Sequence, residues 1–108
     1  MSIKLSPPVE AFFLANQGTG EFIAECFTSD AVVRDEGRTH RGVAENHQWR
    51  AGVAAQFTYT CEPLKVEHEN DSTTVTCHLE GDFPGNTIDL RFIFGLAGDK
   101  IATLEIVP

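Results

Sequence analysis

Basic residues are scarce in this chain: eight lysines and arginines stand against sixteen aspartates and glutamates, a formal charge of −8 at pH 7. A surface of that sign repels phosphate backbones and anionic lipid, so neither nucleic acid nor membrane is an expected partner. Long hydrophobic runs are missing too. No window approaches the roughly 18 apolar residues of a membrane span. The N-terminus MSIKLSPP has neither the apolar core nor the cleavage site of a secretory leader, and a cytoplasmic protein is expected. Cysteine is limited to Cys26, Cys61 and Cys77, an odd number without CxxC spacing. That fits a reducing compartment better than a disulfide framework and reads as three small buried hydrophobes. The histidines His40, His47, His68 and His78 show no HxH or HExxH spacing, and no phosphate-binding glycine loop opens a parallel unit. Neither a metal nor an organic cofactor is expected. Repeats, low-complexity segments and linkers are absent as well.

What is present is an ordinary globular composition of 108 residues, 42% hydrophobic and 22% charged, enough for one domain around a single core. Ser6 followed by Pro7 and Pro8 marks a helix start, with serine as cap. Val9, Phe12 and Phe13 give the i, i+3, i+4 stripe of a first helix to about Gln17. Gly18 fits its stop. Thr19 opens a second short helix in which Phe22, Ile23, Cys26 and Phe27 share a face, ending before Asp30. A short strand is expected over residues 31–35, followed by the polar stretch EGRTHRG. After Gly42 a third helix carries Val43, Trp49 and Val53, the least amphipathic of the three.

From Phe57 the apolar period changes. FTYTCEPLKVEHE, STTVTCHLEGDF, TIDLRFIFGL and KIATLEIVP are rich in Thr, Val, Ile and Phe and are separated by turn composition. They predict a four-strand antiparallel meander. Three helices ahead of such a meander make an α+β arrangement, with the helices on one face of a curved sheet and a pocket inside the resulting cone.

In SDAVVRDEGRTHRG, alternation puts Ala31, Val33 and Asp35 on one strand face and Val32 and Arg34 on the other. If the first face looks inward, a carboxylate there is costly unless it is paired or lines a cavity. The plain alternative is a strand-end residue that caps the following turn.

The stretch ANQGTGEFIAECFTSDAVVRDEGRTHRG, with FGLAGDKIATLEI near the end of the chain, resembles the nuclear-transport-factor-2-like superfamily, and within it the SnoaL-like polyketide cyclases and ketosteroid isomerases. The resemblance covers the whole chain in element order and is specific at motif level from Asn16 to Gly42. It implies a cystatin-like cone, three N-terminal helices on a curved, mixed but mostly antiparallel sheet. It also implies that Asp35 stands where the isomerases place their proton-shuttling aspartate. The isomerases' helix-one tyrosine position falls at Ala11, which has no hydroxyl, and Tyr59 is the only tyrosine.

The expected activity is that of a small enzyme, of isomerase, cyclase or dehydratase type, moving a proton on an apolar carbonyl compound by general acid–base catalysis through Asp35. Phe13, Phe27, Val33, His47, Trp49, Phe57, Phe92 and Phe94 are the candidate pocket residues. Asp89 and Arg91, two apart on one strand, are secondary candidates; a one-residue change of register decides whether Asp89 faces the pocket or the outer sheet face. The rival reading is a binding module with the same cone and no chemistry. A homodimer through the outer sheet face is expected.

Overall fold

The computed structural model describes residues 5–16, 26–56, 59–69 and 72–108. Helix α1 spans Pro7–Asn16, strand β1 Phe27–Asp35, β2 Arg38–Arg41 and helix α2 Gly42–Gln56. Four further strands follow: β3 Tyr59–Glu69, β4 Ser72–Gly81, β5 Thr87–Ala97 and β6 Lys100–Val107. All six strands form one sheet in the order β2-β1-β6-β5-β4-β3. β1 runs parallel to β6, and every other neighbouring pair is antiparallel, so the sheet is mixed. The four-strand meander is as expected from composition.

Two expectations need correction. Among the described residues there are two helices, not three. Phe27 already belongs to β1, so the short helix cannot run through it, and residues 17–25 lie outside the described residues. β1 is longer than residues 31–35 because Thr28, Ser29 and Asp30 continue the strand with little apolar content to mark it. The polar stretch EGRTHRG holds a turn and a second short strand. Glu36 (φ 53°) and Gly37 (φ 76°) form a two-residue turn with both φ angles positive, the type that matches strand twist, and it returns the chain into β2 with Asp35 opposite Arg38.

α1 begins as the sequence suggests but without the expected cap bond. The Ser6 carbonyl accepts the Glu10 N–H at 2.9 Å, whereas Ser6 Oγ is buried with no partner among the described residues. A serine cap serves the second or third helical N–H, and the second position here is Pro8, which has none.

The core is aromatic. Phe12 and Phe13 of α1 pack edge-on against β5, with ring centroids 5.5 Å apart for Phe12 and Phe94 and 5.3 Å for Phe13 and Phe92. Phe27 joins from β1 at 6.1 Å from Phe12. Alternation along β4 and β5 sends Val75, Cys77, Leu79, Phe92 and Phe94 into this core. Thr74, Thr76, His78, Asp89, Arg91 and Ile93 therefore occupy the opposite, outer face. α2 lies across β1 and β2. No helix among the described residues is long and apolar enough to cross a membrane.

Candidate active site

The face of β1 predicted to look inward does so. Ala31 and Val33 are fully buried, and Asp35, two residues on, is half-buried at the wall of a cavity of about 440 Å³. That size suits a small organic ligand. Phe12, Leu79, Phe83, Leu90, Phe92 and Ile106 supply apolar wall, and α2 contributes Trp49 and Arg50.

α2 is held over β1 by Asn46, a buried residue whose Nδ2 donates to the Ala31 carbonyl at 3.0 Å. Residues three and four positions further along a helix share its face. Asn46 therefore brings Trp49 and Arg50 with it. The Trp49 indole N–H donates to Asp35 Oδ2 at 3.0 Å, while Oδ1 takes no hydrogen bond from any described residue. The His40 ring lies against the same indole, centroids 6.2 Å apart. Asp35 is thus oriented through one oxygen.

Arg50 is the second pole. It is 4% exposed, lines the same cavity, and its Nη1 donates to the Tyr59 hydroxyl at 3.1 Å. None of the described ion pairs includes it. Neither Arg50 nor Tyr59 was among the residues expected at the site. The signal was present: Asn46, Trp49 and Arg50 follow the helical i, i+3, i+4 rule, but a search for apolar periodicity passes over a stripe that is two-thirds polar. Val43, one of the apolar residues expected in this helix, is 44% exposed.

Of the expected pocket residues, Asp35, Trp49 and Phe92 line the cavity. Phe13, Phe27, Val33 and Phe94 are buried in the packed core beside it, where they hold the wall rather than meet a ligand. His47 is on the exposed side of α2, one position from the inward stripe. Phe57 lies outside the described residues. Asp89 and Arg91 are on the outer sheet face: Asp89 Oδ1 is 2.7 Å from His78 Nδ1, and Arg91 Nη2 donates to the Pro108 carbonyl at 3.2 Å. Alternation with buried Phe92 takes both away from the cavity.

Two other groups have shifted titration. His78 is raised above its ordinary value, first by the hydrogen bond with Asp89 and then by that with Glu80. The Cys77 thiol is pushed far up by its contact with the Cys61 thiol and by burial, so it is an inert neutral group at physiological pH. Both cysteines are buried and neither lines the cavity, in keeping with the small-hydrophobe reading. Among the described residues no cluster of three or more His, Cys, Asp or Glu is placed to hold a metal ion.

No family model matches the chain, and no curated sequence does. Solved structures do. A candidate polyketide cyclase from Sinorhizobium meliloti superposes with a TM-score of 0.86 at 33% identity, covering 92% of each chain. A protein with a ketosteroid isomerase-like fold from Catenulispora acidiphila, solved with trimethylamine, gives a TM-score of 0.85 at 18% identity over 97% of this chain and 87% of that one. The epoxide hydrolase/cyclase-like enzyme SalBIII, which acts in pyran ring formation in salinomycin, gives 0.76 at 22% identity over 93% and 86%. The second and third share the fold; the first is near enough in sequence, over nearly its full length, to carry descent. The six-strand mixed sheet, the cavity over its inner face and this likeness together place the chain in the nuclear-transport-factor-2-like superfamily, among its SnoaL-like members.

Proposed function

We propose that the protein is an enzyme that moves a proton on an apolar carbonyl compound, with Asp35 as general base. The observation that carries this is a carboxylate held by an indole N–H on the wall of a largely apolar cavity, with a buried guanidinium on the same wall. The apolar surround strengthens interactions between charges, and the fixed cation favours the negative charge that develops on the substrate as the proton leaves. Isomerase, cyclase and dehydratase chemistry all begin with such a transfer. The candidate polyketide cyclase and the epoxide hydrolase/cyclase-like enzyme among the similar structures are in keeping with this range.

Proton abstraction can be read without knowing the full reaction. In D2O the protein should accelerate α-hydrogen exchange in some members of a panel of cyclic ketones, followed by proton NMR. Asp35→Asn, which keeps the shape and the Trp49 bond, should lower that exchange by about 10²–10⁴. Ketones that bind without exchanging would favour the second reading, a non-catalytic binding module. That reading is supported by Ala11 at the position of the isomerases' tyrosine.

We further propose that the protein pairs as a homodimer through the outer sheet face, where Ile93 sits among Thr74, Thr76 and Arg91. Light scattering at micromolar concentration should give about twice the 11.9 kDa chain mass. A mass equal to one chain would remove the proposal.

A further inference from the structure

We infer that the cavity's ligand is an organic anion, an apolar acid whose carboxylate docks on Arg50; this rests on the enzymatic reading of the same cavity and narrows its substrate to acids. A guanidinium stays charged at every accessible pH and presents five N–H donors. One of the five is committed to the Tyr59 hydroxyl, a neutral acceptor, and no described ion pair offers the cation a carboxylate. A buried charge left in that state is strongly disfavoured unless something supplies the opposite charge. Solvent does not, because Arg50 is 4% exposed. The cavity of about 440 Å³ whose wall Arg50 joins is the route left for such a charge, and a bound anion would share it with Asp35 and Glu36.

A guanidinium fork matches the two oxygens of a carboxylate in one plane, which a single carbonyl oxygen cannot do. Around it Leu79, Leu90, Phe92 and Ile106 offer hydrocarbon to a ring or chain of the ligand. An oxo acid fits both poles, with its carboxylate on Arg50 and its acidic C–H toward Asp35. The long-range field of a chain with net charge −8 opposes such a ligand. Preference for an acid over its neutral analogue therefore reports the local cation and nothing more general.

The test uses two probes of one shape, decahydro-2-naphthoate and decahydro-2-naphthalenemethanol, titrated calorimetrically into the full chain at neutral pH. The wild-type protein should bind the acid at least about tenfold more tightly than the alcohol, the scale expected when hydrogen bonds go to a charged partner. Arg50→Met should erase the difference. It should also fold, since an apolar residue of similar length commonly replaces a buried charge without loss of stability. Asp35→Asn should keep the acid preference while losing the exchange activity, which separates docking from chemistry. Equal binding of the two probes by wild type, no binding of the acid at millimolar concentration, or an acid preference that survives Arg50→Met would each overturn the inference. If ketone exchange were absent and the acid preference present, the catalytic reading would fall and the anion site would stand.

Discussion

Trp49→Phe keeps an aromatic wall and deletes the only described donor to Asp35. The expected cost is about 1.5 kcal/mol, the low end for a hydrogen bond to a charged group, because the half-buried carboxylate can recover a water from the cavity. Urea denaturation measures it, and exchange activity should fall with it as Asp35 loses its orientation. The outer face offers a contrasting residue. The hydrogen bonds with Asp89 and Glu80 raise His78 above its ordinary value, so what they contribute to stability is complete below 6.5 and disappears as pH rises through the higher folded-state value. Thermal unfolding of His78→Gln should therefore fall furthest below wild type at about pH 5.5, and the gap should close as pH rises. Asp35 could be singled out from the chain alone because two fully apolar neighbours fixed its face. Arg50 was harder to single out: its i+4 spacing from Asn46 is in the chain, but a cation in a helix reads as solvated until the contact of Asn46 with Ala31 shows that this side of α2 is the inward one.

The elements differ in how openly the sequence declares them. β4 alternates buried and half-buried residues over most of its length and β5 does so around Phe92 and Phe94, a period visible in the sequence that still left open which face Asp89 takes. β2 has four residues, none of them fully buried, so no alternation of hydrophobicity could announce it. It is specified instead by the turn before it. The same substitution should act in opposite directions in that turn and in helix α2. Gly37→Ala forces a β-carbon into φ 76° and should cost about 1–2 kcal/mol. Gly52→Ala, exposed in α2 with nothing within 4 Å of the added carbon, should stabilise by about 0.5–1 kcal/mol. Chemical denaturation of the two variants side by side checks the pair, and the first should also disturb exchange activity because the turn abuts Asp35.

At the scale of the whole molecule, packed aromatic core and open cavity share the inner face of one sheet. The mixed pairing that makes this possible is the insertion of β6 between β1 and β5. It also sets an order of events during folding. Residues 27–35 cannot find their parallel neighbour until residues 100–107 are available, so the two halves of the sheet meet through contacts some seventy positions apart in the chain. Such distant pairings pay their loop-closure entropy before any reward and slow the search for the native state. During synthesis the β1–β2 hairpin and the β3–β5 meander would each wait with a bare hydrogen-bonding edge turned toward the other, and the strand that joins them is also the one that shields both from wrong partners.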